Sequence, residues 1–335
     1  MKSIYKTGTV IVSLLISLAS AQHPDAGTVA FPFLNMNYDA RTMAMGGASA
    51  AMPNDVYGVL SNPAALAYTT RHQILGGYRQ IIMDVWSGPA GIALNTQHGV
   101  FTPHLITLTT GDFNIIDESG MSTGQRARSS YTAFGVGWAR LFFDKAVAAG
   151  ATVRGVYHYI GAGSETYSAD GFTIDLGVQH RANNNRLIYG ATLRNFGFMR
   201  SGYWNEWNEH EMPYGVEVGA SYVPQHIRNL RVAVDVNKFN GDYINVEPGF
   251  EYTILANTLF LRGGYAFSSM DSEKMLEVFK GERDDNYKKS SINTFSVGLG
   301  VAGTMDEVDV KLDAAVQFYT DTYTPAVIVS LIVAF

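Results

Sequence analysis

The sequence predicts an all-β protein: a transmembrane antiparallel β-barrel of about 14 strands with an N-terminal hatch inside it. Three observations carry this. From about residue 71 to the end, apolar and polar residues alternate with a period of two. The connections between the alternating segments are by turns short and long. Beyond the N-terminus no apolar run approaches the roughly 20 residues that a spanning helix needs, and an open sheet edge in lipid would leave backbone groups unpaired. One alternating strand would fit a soluble sandwich equally well. Many of them, each about long enough to cross a bilayer at a tilt, favour the membrane barrel.

Composition agrees. A chain of 335 residues would ordinarily suggest two soluble domains, but a large barrel uses such a length as one. Charged residues are only 16%, with 34 Gly, 19 Tyr and 18 Phe, which is sparse charge and much Gly for a soluble enzyme. Cys is absent, which removes both disulfides and thiolate metal sites. Without Lys2 and Lys6 of the leader, 22 basic residues face 30 acidic ones, so no nucleic-acid partner is expected.

Taken in order, residues 1–21 read as a secretory signal. Lys2 and Lys6 form its positive region, 10–18 its short apolar core and Ala19-Ser20-Ala21 its cleavage site. The core is too short for a membrane anchor, so the mature chain is expected to begin at Gln22 and to give a heat-modifiable outer-membrane band. Residues 22–70 form a linker and the hatch. The stretch 31–66 is the only long one after the leader that does not alternate. Gly46, Gly47, Ala48, Ser49, Ala50 and Ala51 give it a tightly packed or helical character, and Asn62-Pro63 closes it with a turn. Polar groups enclosed by a barrel must find partners, so Asp39, Arg41, Asp55 and Asn62 are expected to fasten the hatch.

Residues 71–335 form the barrel. The clearest segment is 307–319, where Val308, Val310, Leu312, Ala314, Val316 and Phe318 oppose Asp309, Lys311, Asp313, Gln317 and Tyr319. The same alternation runs through 172–179, 230–237 and 244–252. The first two strands, expected at 71–83 and 88–95, are the least sharply bounded. Tight connections are expected at 96–99, 143–145, 183–185, 224–229, 255–257 and 303–306, and longer ones at 112–127, 161–169, 199–212 and 268–291. That asymmetry is the one expected of periplasmic turns and outer loops, and an even strand count puts both ends of the barrel on the periplasmic side. The last strand, 324–335, ends on Phe335, and a terminal Phe on an amphipathic strand resembles the assembly signal of bacterial outer-membrane proteins. The expected location is therefore the outer membrane of a Gram-negative bacterium. Pro248 suggests a bulge or kink, and Ala326, Ile328, Ile332 and Ala334 suggest that part of the lumen is packed.

Motifs for chemistry are weak. Gly298, Gly300 and Gly303 spell a dinucleotide fingerprint, but that site needs a following helix; these glycines lie in a strand, where they make room for neighbouring side chains. The eight histidines show no metal-ligand spacing, and no Ser sits in a Gly-x-Ser-x-Gly elbow. No cofactor, metal or catalytic residue is expected. Twelve charges point inward: Arg154, Asp175, Arg194, Glu217, Arg231, Asp235, Glu247, Glu251, Arg262, Asp309, Lys311 and Asp313. They could line a polar channel; their mixed signs more simply imply ion pairs among wall, hatch and water, since unpaired buried charge is costly. Tyr203, Trp204 and Trp207 fall in an outer loop with Glu206, Glu209 and Glu211. They suit either an aromatic belt at headgroup level or a partner-binding rim. Residues 270–286 read as a short amphipathic helix over the outer mouth.

The turn Asp39-Ala40-Arg41, the run Met45-Gly46-Gly47-Ala48, Asp55 and Asn62-Pro63-Ala64 resemble the hatch signature of the PorV/PorQ family. Weaker echoes lie at Gly171–Gly177 and Leu193–Gly197. Those proteins are outer-membrane barrels of type IX secretion, related to FadL-type hydrocarbon transporters. The resemblance implies a non-enzymatic secretion component that binds membrane lipid and other outer-membrane or secreted proteins, as machinery or cargo. The rival is a FadL-like channel for hydrophobic small molecules, which needs an apolar pocket by the hatch and a lateral or hatch opening.

Overall fold

The computed structural model describes residues 29–335 except 54–55, 83, 118–119, 144, 164, 183, 203–209, 241, 243, 256–257, 270–292 and 320–323. Fourteen strands close into one antiparallel barrel in which each strand pairs with its sequence neighbours and β14 returns to β1. They are β1 (Gln73–Ile82), β2 (Val85–Thr96), β3 (Gly99–Ile116), β4 (Ser122–Phe142), β5 (Val147–Ala162), β6 (Glu165–Ala182) and β7 (Leu187–Ser201). The second half is β8 (Gly215–Tyr222), β9 (Leu230–Phe239), β10 (Ile244–Ile254), β11 (Leu259–Ser269), β12 (Thr294–Met305), β13 (Val308–Tyr319) and β14 (Ala326–Ala334). Closure removes both sheet edges, the condition a barrel must meet in lipid.

The alternation places each side chain. Along β13, Asp313, Ala315 and Gln317 are buried, while Leu312 and Phe318 are exposed. On β5, Thr152 and Arg154 face in and Val153 faces out; on β6, Asp175 and Gln179 face in between the exposed Ile174, Leu176 and Val178. The protein is apolar outside and polar within, the reverse of a soluble domain and the pattern of a barrel bathed in hydrocarbon. The exception is β14, whose inner face is mostly apolar. Ile328 packs with Ala40, Met43, Ala44 and Ala315, so the lumen is filled there by the hatch.

The first two strands start two and three residues, and stop one residue, from their expected bounds. A larger difference lies at the long-loop end. Residues 112–127 and 161–169 are expected as loops but are mostly strand: β3 runs to Ile116, β4 starts at Ser122, β5 runs to Ala162 and β6 starts at Glu165. Polar strand residues there pair across the hairpin, as Asp112 does with Arg128 at 2.8 Å. A polar strand standing in water satisfies its backbone as well as an apolar one in lipid, so polarity alone did not mark a loop. Pro248 produces no register shift. The β9–β10 register runs unbroken past it, while on its other side the β10–β11 ladder skips from Val246↔Phe267 to Gly249↔Gly264. The missing N–H costs one flank of pairing and leaves the register intact.

The hatch consists of 3-10 turns at Pro32–Asn35, Val56–Leu60 and Pro63–Tyr68 and one short helix, α1 (Ala40–Ala44). It enters at the long-loop end, where the Ala30 amide donates to the Glu211 carbonyl at 2.8 Å. It leaves at the short-turn end, where Asn95 holds the Thr69 carbonyl at 2.9 Å and the chain joins β1. Phe335 closes beside it, its amide donating to the His72 carbonyl at 2.9 Å.

Candidate functional site

The site is the interface between hatch and inner wall, and its two sides differ. The charged side starts from α1. Asp39 caps that helix, its Oδ1 accepting from the Arg41 amide at 3.2 Å and its Oδ2 from the Thr42 amide and hydroxyl at 2.9 Å each. Such a cap satisfies orphan donors of the first turn and aims Arg41 outward from the helix. The Arg41 guanidinium then grips Glu251 of β10 with two bonds of 2.8 Å, Nε to Oε2 and Nη2 to Oε1. Glu251 also accepts from Arg262 Nε at 2.7 Å, Arg262 Nη1 reaches Asp313 at 2.7 Å, and Lys311 closes on Asp313 at 3.0 Å. One hatch residue is thereby tied into a charge chain across β10, β11 and β13.

Two further grips follow. Arg154 of β5 pairs with Asp175 of β6 at 2.5 Å and donates from Nη2 to the Val59 carbonyl at 2.6 Å and from Nε to His104 at 3.0 Å. Arg194 of β7 donates to the carbonyls of Leu60 at 3.1 Å and Leu34 at 3.3 Å, and faces Glu217 at 3.5 Å. Beside it, Ser49 Oγ donates to Glu217 at 2.8 Å, and the Ser49 and Ala50 amides both donate to Asp235 Oδ2, at 2.6 and 2.7 Å. Asn62 works from within the hatch. Its Oδ1 caps the Pro63–Tyr68 turn at the Ala64 amide, 3.1 Å away, while its Nδ2 donates to the Ala50 carbonyl at 2.7 Å and reaches Val178 of β6 at 3.3 Å.

Backbone meets backbone where α1 ends. A Cβ at Gly264 would lie 2.1 Å from the Met45 carbonyl carbon, and one at Gly249 would lie 2.2 Å from its oxygen. No side chain larger than hydrogen fits under this turn. On β12, Gly298 likewise makes room for the Ala44 methyl.

The other side of the hatch is apolar. Phe33, Leu34, Tyr38, Val56, Tyr57, Val59, Leu60 and Leu66 form one buried cluster with wall residues that include Leu75, Ala93, Val100, Ile106 and Leu108. Phe33 tilts over Tyr131 at 5.1 Å, and Tyr131 stacks on His158 at 3.6 Å. Burial raises the Tyr38 hydroxyl above its usual range, so it stays neutral and donates to the Phe33 carbonyl at 2.8 Å. The wall facing this cluster is interrupted twice. The β1–β2 ladder skips Gly77 and Tyr78 opposite Pro89 and Gly88, and the β2–β3 ladder skips Ile92 and Ala93 opposite Pro103 and Thr102. Pro89 and Pro103 have no N–H to give. The inward hydroxyls Ser87 and Thr102, both fully buried, have no hydrogen-bond partner there. Tyr57 meets the wall at β1, donating to the Gly76 carbonyl at 2.6 Å.

Of the residues picked from sequence, Asp39, Arg41 and Asn62 lie in this interface. Asp55, Tyr203, Trp204 and Trp207 fall outside the described residues, as does the amphipathic segment 270–286. Sequence reasoning did mark Glu217, Asp235 and Glu251 as inward charges. It did not find Ser49 and Ala50 as partners of Glu217 and Asp235, or Val59 as a partner of the inward Arg154, because the Ser49 and Ala50 amides and the Val59 carbonyl are backbone groups that any residue carries.

A plugged, closed, 14-stranded antiparallel barrel is the class these elements define. No family model matches the chain and no curated protein matches it, so the PorV/PorQ resemblance rests on the sequence motifs alone. Solved structures do match. The chain is similar to the Pseudomonas putida toluene transporter TodX, with a TM-score of 0.65 and 15% identity over 89% of this chain and 99% of that one. It is similar to the CymD monoaromatic hydrocarbon channel (TM-score 0.64, 12% identity, 91% and 99% covered). A third is the Ralstonia pickettii toluene transporter TbuX (TM-score 0.61, 14% identity, 91% and 98% covered). At these identities the likeness is one of fold: the barrel is built like those of the FadL-type hydrocarbon channels.

Proposed function

We propose that this chain is an outer-membrane channel for hydrophobic small molecules, in which the hatch is the movable element. On sequence alone transport stood second to secretion. The observation that now favours it is the two-sidedness of the interface: an apolar sheath around the hatch faces the doubly interrupted wall of β1–β3, in a barrel built like hydrocarbon channels. An apolar solute crossing there would exchange lipid contacts for Phe33, Leu75, Ile106 and Leu108, beside one buried cation of β1, Arg79, that the Asn37 carbonyl already holds at 2.7 Å. The closed barrel and its apolar outer face support an outer-membrane location. No catalytic role is proposed.

The test is uptake of a radiolabelled hydrophobic solute by cells lacking their own hydrocarbon channels, with and without this chain. Uptake at the level of empty membranes refutes the reading. A second reading keeps one specific support: the hatch is held by ion pairs on its charged side, as suits a scaffold that stays shut and works through its outer surface in protein secretion. In that case the double variant Trp204→Ala/Trp207→Ala loses a protein partner in pulldown while uptake is unaffected. Interface anchors each contribute on the order of 2 kcal/mol, so such a loss is easily measured.

A further inference from the structure

The grip on the 47–50 turn carries more acid than base. Glu217 and Asp235 stand diagonally across the β8–β9 ladder and meet at Ser49, which donates its hydroxyl to Glu217 at 2.8 Å and its amide to Asp235 at 2.6 Å, and Glu247 stands directly opposite Asp235 across the β9–β10 ladder. The Glu247 carboxylate presses on Gly47, where a Cβ would meet it at 2.4 Å. Around them β7 presents Arg194, 3.5 Å from Glu217; β9 presents Asn237 and Arg231, which donates to Ser221 at 3.0 Å. β10 also presents Glu251, which is bound by Arg41 and Arg262. Asp242 adds a further negative charge from the connection after β9. The hatch side, Gly47, Ala48, Ser49 and Ala50, has no charge. One oxygen of the fully buried Asp235, Oδ1, has no donor in reach, although Oδ2 has two.

Two carboxyl groups in mutual contact cannot both be ionised without strong repulsion; a proton between them turns that contact into a hydrogen bond. No group of acidic or histidine side chains among the described residues has the geometry to hold a metal ion instead. We propose that Glu217 and Asp235 share one proton and that this proton latches the 47–50 turn, making the hatch release as pH rises. This rests on the reading of the hatch as movable and adds what releases it. The sign follows from proton counting. The closed hatch binds one more proton than the open one, in which both acids are hydrated and ionise normally. Closure is therefore favoured below the titration point of the pair and weakens above it, with a limit of about tenfold in the open-to-closed ratio per pH unit.

The experiment is the conductance of the purified barrel in planar bilayers from pH 6 to 10, with amide exchange of Ser49 and Ala50 followed in the same preparation. Asp235→Asn mimics the protonated acid: its oxygen still accepts from the two amides, and its Nδ2 donates to Glu217. Wild type should open increasingly with pH, up to tenfold per unit, whereas Asp235→Asn should stay closed throughout. Glu217→Gln, which donates in the opposite direction, should do the same and serves if the first variant does not fold. Wild-type conductance that is flat over this range overturns the latch, as do variants that keep the wild-type pH curve. Solute uptake at neutral pH is measured alongside. A latch that fails while uptake persists leaves the channel standing, and a working latch without uptake sinks only the channel.

Discussion

Removing Arg41 is the most direct probe of how the hatch is held. Arg41→Ala deletes two charge-assisted hydrogen bonds of 2.8 Å to Glu251 and a weaker one of 3.3 Å to the Pro53 carbonyl. Each bond to a charged partner contributes about 1.5–3 kcal/mol. The lower end applies, because Glu251 keeps Arg262 and is not left as an unpaired buried charge. The loss is then about 3 kcal/mol, which raises the population of the open hatch by about two orders of magnitude. Amide exchange is the suitable assay, since trypsin would lose a cleavage site with the mutation; residues 40–52 should exchange about a hundredfold faster while the strands remain protected. Arg41→Lys keeps the charge without the bidentate fork and should fall between. Glu251→Gln should cost more, about 3–5 kcal/mol, because it takes the buried counter-charge from Arg41 and one of two from Arg262, which keeps Asp313. The two changes together should cost less than their sum. Hatch protection within about 0.5 kcal/mol of wild type in Arg41→Ala would refute the reasoning, since surface-like ion pairs have that value.

Other changes separate packing from charge. Gly264→Ala puts a methyl 2.1 Å from the Met45 carbonyl carbon and should expel the α1 end of the hatch, whereas Gly303→Ala, with open space around it, should be silent; hydrogen exchange of 40–47 and the heat-modifiable band distinguish them. Asn62→Ala removes a cap and an inter-segment bond but leaves the Ala50 carbonyl its second donor, Gln179 at 2.9 Å. A loss of about 1–2 kcal/mol is expected in hatch protection. Ser330→Ala deletes the hydroxyl that accepts from the Ala40 amide at 2.7 Å and should cost about 1 kcal/mol, read in the same way.

What the sequence determined by itself is what a period of two can encode. Alternation is a property of neighbouring residues, so it told that Asp313 and Gln317 face in and that Leu312 and Phe318 face out, and it told how many strands there are. The departure of 31–66 from alternation marked the hatch, and its small residues marked a segment packed at close quarters. It could not tell which inward charge meets which. Arg41 finds Glu251 across 210 residues of chain, and that pairing depends on the register of every strand between and on the path the hatch takes through the lumen. The same holds for Gly249 and Gly264, ordinary strand glycines until the barrel closes and brings the Met45 carbonyl onto them. Nor could alternation show that the apolar flank of the hatch lies against Leu75, Ile106 and Leu108 of the wall, or that Asp235 and Glu217 meet at Ser49. Those contacts exist only once closure sets the distance across the lumen, and in them the difference between a sealed scaffold and a channel resides.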